Sequence, residues 1–393
     1  MSKSLLLAVL CAATLTPVIV DASTNTNSFN PAISLILNGQ YAHYSTNPES
    51  ERLAPFLLNS DAGLRSQGIT LGESEMTLSA NIDSHFFAQT TLAFEGDPNA
   101  SGASVEEAFV QSLDLSDGVT LKMGRFFSAL GYLNEQHAHR WDFSDAPLIY
   151  QALFGNQLQV DGLQLSALLP TDRFMQLGVE ALSGTHFPSA GVHQGAGAWT
   201  LFYTVGDDWD ISQSWQIGLN YWRSQEVTDR LASGLLSELS FSGTSEISSV
   251  DFVYKWAPNG NPINQNVKLQ FEYFERRESG QLTSDLSSSS YHGTQRGGYI
   301  EGIYQFMPQW SIGLRYDHLS QNNQGSDDLF LKREGIIDDI NTPHSYSLVS
   351  SWQASEFSRI RLQYSRDDSR SEPDNRLFLD YSVSLGSHSA HAY

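Results

Sequence analysis

The chain has 393 residues, with 44 acids against 22 bases and a formal charge of -22. An acidic excess of this size repels nucleic acid and polyphosphate, which excludes both as partners; it suits a cation-attracting pore, or simply well-solvated acidic loops. Cys11 is the only cysteine and falls in the N-terminal segment, so the rest of the chain can form neither a disulfide nor a thiolate metal site.

Residues 1–22, MSKSLLLAVLCAATLTPVIVDA, place Lys3 ahead of an apolar run and close on the small-residue exit Val20-Asp21-Ala22. This is the pattern of a cleaved export signal, and Leu10 before Cys11 is wrong for a lipoprotein site. Residues 23–393 contain no uninterrupted apolar run approaching the ~20 residues of a membrane helix. Mean hydropathy is -0.29, with 40% hydrophobic and 11% aromatic residues. Such an average reads as soluble, but membrane strands also look polar on average, because one face is apolar and the other is not.

Alternation begins at Ala32–Tyr44, where Ile33, Leu35, Leu37 and Tyr41 share one face and Ser34, Asn38 and Gln40 the other. After a Pro/Ser/Asn-rich loop over 45–68 comes a strand from Ile69 to Ile82. Met76, Leu78, Ala80 and Ile82 lie on its apolar face, and Glu73, Glu75, Thr77 and Ser79 on its polar face. A tight turn at 81–84 leads to Phe86, Ala88, Thr90, Leu92 and Phe94, then to the loop EGDPNASGAS. Val105–Leu115, the turn Ser116-Asp117-Gly118 and the strand Val119–Phe127 repeat the rhythm, with Lys122 on the polar face of the last. Val160–Leu169 and Arg173–Leu182 follow the long segment 128–156.

The strands leaving the tight turns share a weak repeat: MQLGVEA at 175, WQIGLNY at 215, VKLQFEY at 267, WSIGLRY at 310 and SRIRLQY at 358. Their second face carries Lys268, Glu272, Arg315, Arg359 and Arg361, expected to line the lumen with Glu73, Glu75 and Lys122. Trp215, Trp256, Trp310 and Trp352 all fall beside short turns, where an interfacial aromatic girdle belongs. A soluble β-sandwich or propeller would also bury alternate residues, but would not alternate very short turns with long loops. The expected fold is all-β: one transmembrane antiparallel barrel over residues 23–393, of about 16 strands. Its termini lie on the short-turn side, and its third outer loop folds into the lumen. Leu377, Leu379, Tyr381, Val383 and Leu385 give the last strand its apolar face.

The loop 128–156 holds the densest chemistry. Glu135, His137, His139, Arg140, Asp142 and Asp145 are the candidate constriction residues. If this part is extended, His137, His139 and Glu135 share one side, and Asp142 or Asp145 could approach after a turn. An N,N,O set of that kind would bind Zn²⁺ weakly and reversibly. The plainer reading, that the imidazoles only hydrogen-bond the loop to the wall, is preferred, and no other cofactor is expected. His388 and His391 are three apart, so in a strand they point to opposite faces and cannot chelate. A barrel-embedded hydrolase is a further alternative, with His137 and Asp142 as its nearest parts, but no spacing singles out a triad.

Export signal, short-turn/long-loop hairpins and an aromatic C-terminus together resemble a bacterial outer-membrane porin over nearly the whole mature chain. The resemblance implies passive diffusion of small hydrophilic solutes and a surround of outer-membrane lipid and lipopolysaccharide. It also implies a homotrimer, and insertion by the barrel-assembly machinery through the strand ending at Tyr393. LKMGRFF followed by a long loop is locally similar to the phosphate-selective porins. That selectivity needs a Lys/Arg ladder, whereas the loop sets Arg140 against Glu135, Asp142 and Asp145, so cations or neutral solutes are expected instead. GRFFSALGYLNEQHAHRWDFSDAPL is also similar to exported proteins labelled TonB-dependent, sometimes zinc-regulated, outer-membrane receptors, which implies metal uptake as an alternative. Such receptors carry a plug ahead of a barrel of roughly 22 strands, whereas strands here begin at about Ala32.

Overall fold

The computed structural model describes residues 31–48, 53, 55–58, 63–95, 102–191, 195–337, 342–370 and 372–386. The expected export signal with Cys11, the His388/His391 pair and Tyr393 lie outside the described residues. Sixteen antiparallel strands follow one another. They are β1 Ala32–Tyr44, β2 in two parts (Gly68–Leu71 and Ser74–Asn81), β3 Phe86–Glu95, β4 Gly102–Ser112, β5 Val119–Phe127, β6 Gln159–Leu168, β7 Phe174–Leu182 and β8 Ala198–Asp210. The second half comprises β9 Gln213–Ser233, β10 Glu238–Trp256, β11 Asn266–Thr283, β12 Ser288–Met307, β13 Trp310–Gly325, β14 His344–Ser355, β15 Ser358–Asp367 and β16 Asp374–Gly386.

Each strand pairs with its sequence neighbours, and β1 also pairs with β16, so that Leu35 faces Met76 on one side and Leu385 on the other. The sheet therefore closes and leaves no edge, which is what a β-structure needs where no water can satisfy free N–H and C=O groups. The expected count of 16 holds, and the last strand closes the barrel within Asp374–Gly386.

Alternation produces two different surfaces. Met123 is 64% exposed on the outside and Leu314 65%, with Leu37, Leu177, Leu219, Leu269, Leu362 and Leu379 in the same belt. Glu180, Gln270, Glu272, Arg315, Arg361 and Gln363 face inward and are buried. The four tryptophans expected at the short-turn rim are there, with Trp310 opposite Trp352 and their rings 6.3 Å apart.

Three features were not anticipated. β9 to β12 run 21, 19, 18 and 20 residues, so on that side the strands themselves project and the connections 234–237 and 284–287 are tight instead of long. Two short helices, α1 Leu148–Phe154 and α2 Asp328–Arg333, lie in the third loop and in the connection after β13. Among the β-bulges, one in β2 and one in β4 matter for the third loop. Gly39 pairs with Leu71 and Ile36 with Glu75, leaving three residues of β2 opposite two of β1. Thr91 pairs with Glu107 but Leu92 with Val105, leaving Glu106 as the extra residue.

The outward belt has a direct test. Leu314→Arg puts a charge on the apolar face four residues above Trp310, near mid-belt, and should cost about 2–4 kcal/mol in lipid vesicles. A urea unfolding midpoint equal to that of the parent barrel would contradict the assignment of this face.

Candidate functional site

The third loop leaves β5 at Phe127 and is captured by the wall at nearly every step. The Ser128 hydroxyl donates to Glu180 Oε2 (2.5 Å), and the Ala129 N–H donates to Glu180 Oε1 (2.9 Å). Gly131 then passes so close to the wall, at φ +95°, that a Cβ would sit 2.6 Å from both Glu272 Oε2 and the Tyr150 hydroxyl. Glu272 of β11 accepts from the Leu133 N–H (2.9 Å), the Tyr150 hydroxyl (2.8 Å) and the Tyr299 hydroxyl (2.5 Å). Asn134 ties the loop to itself, donating to the carbonyls of Ser128 and Leu158 and accepting from the Leu158 N–H.

The loop next reaches β2 and β4. His137 Nδ1 lies 3.0 Å from Glu106 Oε2 and 3.1 Å from Glu75 Oε2, while its Nε2 lies 3.0 Å from Glu107 Oε2. His139 Nδ1 lies 2.7 Å from Glu75 Oε1, and the two imidazole rings are 5.6 Å apart. Burial opposes a charge on His137, yet its three carboxylate partners hold its pKa well above the usual value. At His139 burial prevails over Glu75 and lowers it.

Crossing back, Arg359 donates to the His139 carbonyl and Arg361 Nη1 to the Trp141 carbonyl (2.5 Å). Asp142 pairs with Lys268 at 2.5 Å. Asp145 pairs with Arg315 at 2.8 Å and accepts from Gln363 (2.8 Å), and the Leu148 N–H donates to Asp317 (3.0 Å). Both loop aspartates are half-buried, which raises a carboxyl, but Lys268 and Arg315 hold them below the usual range. Helix α1 starts after Pro147 and stops at Gly155, which is left-handed at φ 68°; all seven of its residues are buried. It packs with Leu130, Leu133 and Trp141 against inward Phe126, Val160, Trp222, Ile247, Phe274, Tyr299 and Leu319. A second apolar layer nearer the long-loop rim joins Leu57, Phe330, Leu331 and Ile336 to inward Phe241, Leu282 and Tyr291.

The expected constriction residues are thus in the lumen, but not as one group. His137 and His139 converge through a short turn of 3-10 helix at Ala138–Arg140, not through an extended segment. Glu135 stays exposed and outside their cluster, and Asp142 and Asp145 are engaged by Lys268 and Arg315. The carboxylates that meet the histidines come from the wall: Glu75, as its parity implied, and Glu106 and Glu107, which parity could not place. Consecutive residues point to opposite faces of a regular strand; the β4 bulge turns both inward. Lumen-facing Glu272, Arg315, Arg359 and Arg361 dock the loop instead of lining open water. Lys122 lies over the Phe109 and Phe126 rings, and Glu73 sits beside Glu75 and Glu106.

Below the loop a cavity of about 630 Å³ opens toward the short-turn rim. Tyr132, Gln136, His139 and Arg140 form part of its roof, Lys255, Lys268 and Arg359 its basic wall, and Pro308, Gln309 and Phe357 its mouth.

No family model matches the sequence. An uncharacterized protein of Aquifex aeolicus (strain VF5) is 26% identical over 401 residues, spanning 93% of this chain and 80% of that relative. Among solved structures, a loop L8 deletion mutant of OmpT, an outer membrane protein of Vibrio cholerae, superposes with TM-score 0.56 at 9% identity, covering 91% of this chain and 99% of that one. The outer membrane channel DcaP of Acinetobacter baumannii gives 0.55 at 11% identity, covering 91% and 97%. An anion-selective porin from Comamonas acidovorans gives 0.52 at 10% identity, covering 91% and 99%. At these identities the likeness is one of fold: the chain is a closed, 16-stranded antiparallel barrel of the kind outer-membrane porins build.

Proposed function

We propose that this barrel resides in the outer membrane and passes small hydrophilic solutes by diffusion, favouring neutral and dipolar molecules over phosphate. The observation that carries this reading is the cavity under the third loop, with charged side chains in its lining, inside a barrel whose outer belt is apolar. A bilayer covers the belt, and the loop, not the barrel diameter, sets the narrowest passage. The vestibule sets Arg140, Lys255, Lys268 and Arg359 against Asp142 and Glu356. Opposed charges across a water-filled space orient dipoles, while Lys268 and Arg359 are already engaged by the loop and offer no open ladder for phosphate. The net charge of -22 adds a general bias toward cations over anions, which the local basic wall offsets. The hydrolase alternative finds no support in the loop, where His137 is bonded to three carboxylates instead of a nucleophile.

Reconstitution into planar bilayers tests the reading. Discrete unitary currents with a reversal potential near zero in a KCl gradient are expected, with little block by phosphate; silence, or strong anion selectivity, would reject it. A second measurement asks whether the loop limits the pore. Gly131→Val places a branched side chain at φ +95°, against Glu272 and Tyr150. The loop should leave its seat and unitary conductance should rise several-fold; an unchanged value would show that the passage is narrowed elsewhere.

A further inference from the structure

On one side of the lumen, carboxylates near the third loop meet arginine or lysine. Asp142 meets Lys268, Asp145 meets Arg315 and Asp380 meets Arg361. At β2 and β4, among the described residues, the ion pairs of Glu75, Glu106 and Glu107 run to His137 and His139. Glu73 joins them, its carboxylate with those of Glu75 and Glu106 lying within 4.8 Å of one another. Four carboxylates gathered around two imidazoles in a largely buried place call for a compensating cation. The two bulges that interrupt β2 and β4 are what bring the carboxylates to this spot.

The geometry points to a divalent transition-metal site in which Glu75 and the Nδ1 atoms of His137 and His139 are the ligands, with Glu106 beside His137 as the nearest carboxylate for a fourth position. Donor atoms of Glu75, His137 and His139 lie within 4.8 Å of one another. A tetrahedral ion with bonds of about 2.1 Å needs its ligands roughly 3.4 Å apart. The Nδ1 atoms of His137 and His139 lie 3.1 and 2.7 Å from the two oxygens of Glu75, and Glu106 lies 3.0 Å from His137, contacts that an ion between them would open by a few tenths of an ångström. Behind the first ligands, His137 turns its Nε2 to Glu107 at 3.0 Å, the carboxylate–imidazole pairing that fixes tautomer and ring orientation at metal centres. Two imidazoles with carboxylates suit Zn²⁺ and its transition-metal neighbours, whereas Mg²⁺ and Ca²⁺ take oxygen ligands. His139 also lines the 630 Å³ cavity, so an ion can arrive from the short-turn side. Because the histidines are in the loop and the glutamates in the wall, a bound ion staples one to the other. This site stands apart from solute conduction and is read without any current.

The test is metal content. The full-length barrel, purified in detergent, stripped with a chelator and dialysed against Zn²⁺, should retain one zinc per chain and should not retain Mg²⁺ or Ca²⁺ at the same concentration. In competition with a chromophoric chelator, Glu75→Gln and the double replacement His137→Ala/His139→Ala should weaken Zn²⁺ binding at least a hundredfold, and Glu107→Gln about 10–100-fold. Heat-modifiable gel migration reports whether each variant is folded. Should the double variant not fold, Co²⁺ added to the parent protein decides: d–d absorption bands of inner-sphere nitrogen ligation support the site, and the spectrum of aqueous Co²⁺ overturns it. Failure of the parent barrel to retain zinc, equal retention of Mg²⁺, or undiminished affinity in folded variants would also overturn it.

Discussion

The interaction on which the rest of this structure depends is the hydrogen bonding of a long loop's backbone and polar side chains to inward-facing side chains of the barrel wall. A loop placed inside a barrel loses the water that ordinarily satisfies its N–H and C=O groups, and each one left bare costs roughly 1–3 kcal/mol. The wall answers with specific partners: Glu180 for Ser128 and Ala129, Glu272 for Leu133 and Tyr150, Arg361 for Trp141, Gln363 for Ser144, Asp317 for Leu148. These partners come from β7, β11, β13 and β15, so the loop is held around much of the circumference and not along one side.

Apolar packing supplies the drive and the polar partners supply the address. Leu148, Ile149, Leu153 and Phe154 of α1 are fully buried or nearly so, each worth roughly 1.5–3 kcal/mol on the usual area scale, as an upper estimate. That attraction is non-directional and would accept many loop positions. The Glu272 carboxylate, reached by a main-chain N–H and two tyrosine hydroxyls, accepts only one. Gly131 is the steric counterpart, since the contact that seats Tyr150 on Glu272 leaves no room for a side chain there.

Most of the barrel was legible in the sequence, because a strand with lipid on one side and protein on the other must alternate. β1 and β5 have the bounds that alternation implies, and the five repeat copies put their apolar residues outward. The interior was less legible, for reasons that can be named. Alternation reports only which face a residue occupies, and cannot say whether an inward Glu272 meets water or a loop. It also fails at bulges, so it cannot place Glu106 and Glu107 on one side as a pair. One signal was available: Phe126-Phe127 in β5 and Tyr299-Ile300 in β12 are apolar on both faces, as strands are where something other than water fills the lumen. Helix α1, seven residues between Pro147 and Gly155, is too short for a periodicity to show.

The same accounting explains where the chain keeps its negative charge. On the β13 to β16 side guanidinium groups lie against carboxylates: Arg315 touches both Asp145 and Asp317, Arg376 both Asp367 and Asp374. Toward β2 and β4 the only bases that bond Glu75, Glu106 and Glu107 among the described residues are two imidazoles, whose charge depends on what else is bound. Arginine and lysine make a permanent fastening because they stay charged across the physiological range, while an imidazole can exchange its proton for a metal ion. The loop is therefore fixed on one flank by unconditional ion pairs and joined on the other by a contact that answers to protons or cations.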